Sequence, residues 1–285
     1  MSAPSPAPFV VGVPRSGTTL LRMQLDAHPD VAIPTETGFG PLGASLHAAG
    51  AGPDDLLAAL TAQPMWPDLG LDARDLGERL RALSPWSVGA GLRACYLAYA
   101  AKHGKPRWGD KTPLHLGCMP DIAGLLPEAH FVHIIRDPRD VAASGRGMPM
   151  APGDRTVSTI ARSWRETIIE ARRVAPTLEH YREVRYERLV TEPEATLREL
   201  CEFLELDLDP AMLRSHERAA ARLQEVVSAP TDEHGTTVHE GIEVPSNVVR
   251  PPDRARIGRG RTQLDHNELA AVETHAGDLM AELGY

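Results

Sequence analysis

The feature that most constrains the fold is an apolar run that passes through a glycine-containing turn into a helical pattern. Phe9 to Val13 is apolar and bounded by prolines, which is typical of a buried strand. Gly12 and Gly17 are separated by four residues. The leucines from Thr18 to Ala27 then lie on one helical face, and His28-Pro29 ends the pattern. A strand, a tight turn and a helix in this order predict an anion site at the helix N-terminus.

The same pattern occurs a second time. Phe131 to Ile135 predicts a strand, Arg136 to Arg139 a turn, and the following residues through Ser144 a helix. Strands that alternate with helices indicate a mainly parallel sheet flanked by helices, with ligands at the carboxyl ends of the strands. The sequence therefore predicts an α/β fold of P-loop-like type.

Between these two units, residues 40–104 are rich in Ala, Leu, Arg and Asp, with helical spacing and Pro or Gly breaks. We expect three or four helices there, inserted as a cap into a single domain that spans residues 1–285, a length that one large domain can have. A stretch without periodicity, from about residue 228 to 261, predicts a long loop.

Composition narrows the function. A net charge of −9 disfavours a general nucleic-acid binder, which usually carries a basic face. No apolar run approaches the roughly 18 to 20 residues that cross a bilayer, so no membrane partner is expected. Met1 to Pro8 lacks the pattern of a signal peptide. The three cysteines form no CxxC pair, so we expect a cytoplasmic protein without structural metal.

The first turn differs from an ordinary nucleoside-triphosphate loop. Thr18 stands where the Walker pattern has the lysine that contacts the β- and γ-phosphates, and Arg15 supplies a positive charge from inside the turn. This arrangement suits a single phosphosulfate group better than a triphosphate, although a turn shaped only by Gly and Pro is an alternative. The residues expected to contact the anion are Arg15, Ser16, Gly17, Thr18 and Thr19.

The second turn supplies another cation. Arg136 leaves the carboxyl end of its strand and can grip a phosphate in a planar, bidentate manner, and Ser144 adds a hydroxyl two helical turns later. A solvated turn with local ion pairs is the alternative.

Three blocks, Gly12 to Leu21, Asp26 to Pro29 and Arg136 to Ser144, resemble the signatures of sulfotransferases that use 3'-phosphoadenylyl sulfate (PAPS). The closest likeness is to the tyrosylprotein sulfotransferase branch and its bacterial relatives. It runs from Phe9 to about Leu206, weakly to Arg261, and does not cover residues 40–104. The resemblance implies that the first turn binds the 5'-phosphosulfate, that Arg136 and Ser144 hold the 3'-phosphate, and that adenosine 3',5'-bisphosphate is the product.

The resemblance also implies roles for isolated residues. Glu36 aligns with a general base that removes the acceptor's proton, with His28 and His115 as weaker candidates. Lys111 aligns with a lysine that neutralises charge on the leaving phosphate. Tyr186 matches a tyrosine that lines the nucleotide site. The basic run from Arg254 to Arg261 resembles a segment that closes over the 3'-phosphate, and Arg259 is our candidate within it.

The chain departs from the peptide-sulfating branch where that branch recognises acidic peptides. Gly38 and Leu42 stand where it has arginines, and Thr35 replaces a second acidic residue. We therefore expect the acceptor to be a hydroxyl of a small molecule, sugar or metabolite, with the cap on the acceptor side and no metal required. A P-loop-type small-molecule kinase and a non-catalytic nucleotide-binding module are the alternatives.

Overall fold

The computed structural model describes residues 4–146, 156–223 and 248–285. Within these ranges the strands are β1 (Ala7–Val11), β2 (Val31–Ala32), β3 (Arg107–Trp108), β4 (Asp110–Lys111), β5 (Ala129–Ile135) and β6 (Tyr181–Arg185). The α-helices are α1 (Thr18–Asp26), α2 (Phe39–Ala48), α3 (Pro53–Thr61), α4 (Trp66–Leu69), α5 (Ala73–Arg81), α6 (Val88–Lys102), α7 (Met119–Leu125), α8 (Pro138–Gly145), α9 (Val157–Val174), α10 (Tyr186–Thr191), α11 (Pro193–Phe203), α12 (Pro210–Leu213), α13 (His216–Leu223), α14 (Gly260–Gln263) and α15 (His266–Leu283). Short 3-10 turns span Pro113–Cys118, Ala175–Thr177 and Arg254–Arg256.

Four strands form a parallel sheet in the order β4-β1-β5-β6, and β2 and β3 form a separate parallel pair. Val10 is in register with Lys111, Val11 with His133, and Ile135 with Arg185. The carboxyl ends of all four strands therefore lie at one edge. This topology confirms the predicted α/β class with a mainly parallel sheet.

Both faces of the sheet are covered, which explains why β1 and β5 are buried along their whole length and why β1 is apolar without alternation. Side chains alternate between the faces along each strand. Phe9 and Phe131 join the hydrophobic cluster that contains the helices between residues 39 and 102. Val10 and Val132 join a second cluster, formed with α1, α10, α11 and α12. A third cluster around Trp164 packs α9 and α15 beside α8.

The expected cap region contains five helices, α2 to α6, instead of three or four. The prediction was wrong because α4 is a single turn of four residues, too short to produce a periodic pattern in the sequence. Leu56, Leu80 and Leu92 of these helices are 0–1% exposed and share one cluster with the sheet. Fully burying a leucine contributes about 1.5–3 kcal/mol, so this packing fixes α3, α5 and α6 against the sheet.

The predicted long loop is only partly described. Its residues 228 to 247 lie outside the described ranges. The remainder is more regular than expected, since it forms the Arg254–Arg256 turn and α14. No helix in the described ranges has the length and apolarity needed to cross a bilayer.

Candidate active site

The order of the strands sets three of the expected site residues and one turn in a row along the carboxyl edge. Lys111 is the last residue of β4, and the turn 12–17 follows β1. Arg136 follows β5, and Tyr186 follows β6. Neighbouring strands lie about 4.8 Å apart, so the two outer strands of this sheet are roughly 14 Å from each other. The row is long enough for an extended ligand with a group at each end.

The turn after β1 leaves the N-terminus of α1 open to an anion. Its N-cap is Gly17, which has no side chain to cap the first N–H groups of the helix. Gly17 has φ +100°, and a Cβ there would overlap the ring of Tyr186. A Cβ on Gly12 would lie 2.6 Å from the carbonyl oxygen of Ile134. Only glycine fits at these two positions, so the backbone can approach both a ligand and the neighbouring strands.

Among the buried polar atoms at this edge that have no hydrogen-bond partner within the part of the chain that the structure describes, two belong to the two turns. They are Ser16 Oγ and Arg136 Nε. Leaving a buried donor or acceptor unpaired costs about 1–3 kcal/mol, and such groups call for an explanation such as a ligand or an ion. Together with the uncapped α1, these atoms fit the phosphate groups of a nucleotide.

Arg136 connects three segments of the chain. Its Nη1 donates to the carbonyl oxygen of Arg15 at 3.3 Å, and its Nη2 donates to that of Arg256 at 2.7 Å. Its guanidinium lies 4.1 Å from the ring centroid of Tyr186, a cation–π contact. Burial raises the pKa of Tyr186, although the nearby Arg136 charge opposes that shift. The site therefore holds Arg136 and Tyr186 as one stacked pair.

The two expected phosphate motifs touch each other. Arg15 Nε donates to Ser144 Oγ at 2.9 Å. Unlike α1, α8 has its own side-chain cap, because Asp137 accepts from the backbone N–H of Arg139 at 2.9 Å. The first motif thus offers backbone N–H groups to an anion, whereas the second offers the Arg136 side chain.

The C-terminal segment is attached to this site through Asp140, which the sequence analysis did not select. The buried carboxylate of Asp140 accepts from Gly258 N at 2.9 Å and from Gly260 N at 2.7 Å, and it lies 3.4 Å from Arg136 Nη2. Its spacing of four residues from Arg136, across the N-terminus of α8, was the available signal. Arg259 is exposed and faces the side-chain amide of Gln263. The contact between this segment and Arg136 is made by the carbonyl oxygen of Arg256.

Glu36 and Lys111 form an ion pair at the other end of the row. Lys111 Nζ donates to Glu36 Oε1 at 2.8 Å. The lysine side chain is only 6% exposed, whereas the glutamate side chain is 47% exposed. The cation is therefore enclosed beside the turn after β1, and the carboxylate can be reached by a second substrate.

Each ring nitrogen of the two histidines considered as alternative bases lies within 3.0 Å of a protein atom. His28 Nε2 lies 2.9 Å from the carbonyl oxygen of Asp207, and its Nδ1 accepts from Asp30 N at 3.0 Å. His115 Nε2 accepts from Gly40 N at 3.0 Å, and its Nδ1 lies 2.9 Å from an oxygen of Asp110. Both side chains are buried, so neither presents a ring nitrogen to a substrate.

Comparison with known proteins shows the family of this chain. The profile described as "Sulfotransferase family" matches residues 6–210. Protein-tyrosine sulfotransferase 1 of Danio rerio is 30% identical over 98% of this chain and 72% of its own length. Nodulation protein NoeE of Sinorhizobium fredii is 29% identical over 99% of this chain and 67% of its own.

Two solved structures share the fold. The sulfotransferase domain from the Synechococcus PCC 7002 olefin synthase has a TM-score of 0.59 at 22% identity, covering 97% of this chain and 96% of that one. The sulfotransferase domain from the curacin biosynthetic pathway has a TM-score of 0.61 at 18% identity, covering 97% and 99%. At such identities the likeness concerns the fold alone.

Proposed function

The chain belongs to the sulfotransferase family, and from this premise we propose that Glu36 is the general base for sulfuryl transfer from PAPS to an acceptor hydroxyl. The enzyme is a PAPS-dependent sulfotransferase, so the question is which residues do the chemistry and on which acceptor. The observation that carries the proposal is the Glu36–Lys111 pair at the end of β4.

The pair can serve both ends of the reaction. The acceptor oxygen forms a bond to sulfur, its proton passes to the Glu36 carboxylate, and the sulfur–oxygen bond to the 5'-phosphate breaks. The electron pair of that bond stays on the phosphate oxygen, where the enclosed Lys111 cation stabilises it. The ring nitrogens of His28 and His115 face protein atoms, which supports Glu36 as the base instead of either histidine.

We assign the two anionic ends of PAPS to the two strand–turn–helix units. Backbone and hydroxyl groups of the first unit hold the 5'-phosphosulfate, and Arg136 holds the 3'-phosphate over the ring of Tyr186. The unpartnered Ser16 Oγ and Arg136 Nε support this assignment. The full set is Arg15, Ser16, Gly17, Thr18 and Thr19 for the 5' end, and Arg136, Ser144 and Arg259 for the 3' end.

For the acceptor we propose a hydroxyl of a small molecule, sugar or metabolite, within a single domain whose helices α2 to α6 cap the acceptor side. Exposed Gly38 begins the cap, and Leu42 packs against its apolar cluster, so neither offers the cation that an acidic peptide requires. The second candidate acceptor is a tyrosine of a protein, because a relative is named protein-tyrosine sulfotransferase.

Nucleotide preference tests the donor assignment. Adenosine 3',5'-bisphosphate at a hundredfold excess over its Kd should stabilise the folded protein by about 2.7 kcal/mol, measured by thermal unfolding. ATP with magnesium should stabilise it far less. A larger shift with ATP would favour the kinase alternative. Turnover should survive a chelator, and a loss restored by magnesium would also favour the kinase.

An acceptor screen tests the substrate class. Mass spectrometry after incubation with PAPS should show a sulfuryl adduct on phenols, sugars or hydroxylated metabolites and little on an acidic tyrosine peptide. Preferential sulfation of the peptide would overturn the small-molecule proposal and leave the assignment of Glu36 intact.

A further inference from the structure

A buried carboxylate lies directly behind the Glu36–Lys111 pair. Asp110 precedes Lys111 in β4, and Thr37 follows Glu36 in the chain. Thr37 Oγ1 donates to Asp110 Oδ2 at 2.7 Å, and Tyr96 OH donates to the same oxygen at 3.0 Å. Asp110 is 0% exposed. The neighbours of the base and of the cation are thus bonded to each other.

The same carboxylate is connected to the first cap helix. His115 Nδ1 faces Asp110 Oδ1 at 2.9 Å, although its N–H is not aligned for a full hydrogen bond. His115 Nε2 accepts from Gly40 N, and Thr37 Oγ1 accepts from Phe39 N at 3.3 Å. Both contacts satisfy N–H groups in the first turn of α2, where a nearby negative charge is favourable.

A second contact fixes the backbone of this loop. Thr112 Oγ1 accepts from Thr37 N at 3.0 Å. Thr37 is therefore held by the residues on both sides of Lys111, through its hydroxyl to Asp110 and through its backbone to Thr112. A shift of the Glu36 loop along β4 would break both contacts together.

The charge on Asp110 is stabilised where it stands. Burial alone would raise the pKa of this carboxyl, yet the facing His115 ring and the hydroxyls of Thr37 and Tyr96 hold the pKa below its ordinary value. A buried charge is costly unless it is paired and hydrogen-bonded. The side chains of Thr37, Tyr96 and His115 all face this buried carboxylate, and their convergence points to a geometric role.

We propose that Asp110 is a positioning residue for sulfuryl transfer. Through Thr37 it fixes Glu36 against Lys111, and through Thr37 and His115 it fixes the N-terminus of α2, so the cap and the transfer site form one unit. The inference rests on the proposed role of Glu36 as the base.

The test removes single hydroxyl groups around Asp110. Thr37→Val should lower kcat by about 10- to 100-fold, since a misplacement of about 1 Å can cost a hundredfold, while the Kd for adenosine 3',5'-bisphosphate stays within about twofold of wild type. Thr37→Ser keeps the hydroxyl and should restore kcat. Tyr96→Phe should give a smaller loss, because its ring stays stacked on Trp108 at 4.6 Å.

A double variant shows whether Thr37 acts through Glu36. If it does, Thr37→Val combined with Glu36→Gln should have the same kcat as Glu36→Gln alone. If the kcat losses of the two single variants multiply in the double variant, Thr37 acts independently of Glu36 and the inference is overturned.

Tyr181→Phe is the matched control for Tyr96→Phe. Tyr181 also donates its hydroxyl to a carboxylate, Glu183 at 3.1 Å, but it lies at the opposite end of its strand from the site. Its loss should lower the thermal midpoint by a similar amount and leave kcat unchanged. If Thr37→Val has a normal kcat while Glu36→Gln is impaired, the inference about Asp110 is wrong and the assignment of Glu36 as the base stands. Normal kcat in Glu36→Gln would overturn the base assignment and the inference with it.

Discussion

The two halves of the carboxyl edge differ in how their charged and polar side chains are paired. In the nucleotide half, Ser16 Oγ and Arg136 Nε are buried without a partner among the described residues, and the N-terminus of α1 has no side-chain cap. In the acceptor half, Glu36 and Lys111 already pair with each other, in front of a hydrogen-bonded Asp110. If the proposed assignment holds, the ligand supplies the missing partners in the first half, whereas the ion pair of the second half is already formed. Changes in the first should therefore alter affinity, and changes in the second should alter turnover.

The largest expected effect is that of Glu36→Gln in the acceptor half. Glutamine keeps the size of the side chain but cannot accept the proton, so kcat should fall by about 10² to 10⁴. The Kd for adenosine 3',5'-bisphosphate, measured by calorimetry, should hardly change. The acid limb of the pH–rate profile should disappear or move. Near-normal turnover would contradict the assignment.

In the nucleotide half, Arg136→Ala should weaken binding of adenosine 3',5'-bisphosphate by about 1.5–3 kcal/mol, roughly 10- to 150-fold. Binding of the nucleotide without a 3'-phosphate should change little, because the lost contact belongs to that phosphate. Arg15→Ala should also slow transfer, since we propose that Arg15 contacts the phosphosulfate end, where the sulfuryl group is transferred. Equal losses for both nucleotides in Arg136→Ala would show that the arginine does not hold the 3'-phosphate.

Two glycine variants compare the two halves of the edge by adding one methyl group to each. Gly17→Ala places a Cβ in the Tyr186 ring at φ +100°, so it should weaken nucleotide binding as well as stability. Gly38→Ala, at φ +66° with nothing within 4 Å of its Cβ, should cost only the left-handed penalty of about 1–2 kcal/mol. Urea unfolding and nucleotide titration measure the two effects. Unchanged nucleotide affinity in Gly17→Ala would contradict the close approach at this turn.

The smallest effect concerns acid stability in the acceptor half. The folded pKa of Asp110 lies below its ordinary value of 3.8, so its contribution to stability is present above that value and is lost as the pH falls through the folded pKa. Thr37→Val removes one hydrogen-bond donor and should bring the folded pKa nearer to 3.8. Unfolding free energies measured between pH 5 and about pH 2 should then fall less steeply in the variant, since a difference of one in the pKa corresponds to about 1.4 kcal/mol. Parallel curves would mean that the Thr37 hydroxyl does not hold that charge.

Local sequence determined the fold class and the two cationic turns, because each depends on a strand, a turn and a helix that are contiguous in the chain. The glycine spacing before Thr18 and the position of Arg136 at the end of an apolar run were enough to place both at the carboxyl edge. Glu36 was different, since it was identified only by resemblance and no local pattern marked it. Its role remains a prediction.

Tertiary structure alone decided which distant residues meet. Thr37 reaches Asp110 across 73 residues, and Asp140 binds the backbone of Gly258 and Gly260 across 118 and 120. These pairings follow from the strand order β4-β1-β5-β6. In this order β1 lies between two strands that come much later in the chain, so loops remote in sequence meet at one edge. Hydrophobic periodicity specifies which face of an element is buried but not which element covers it. The positions of the two turns could therefore be predicted from local spacing, whereas the contacts behind Glu36 required the fold.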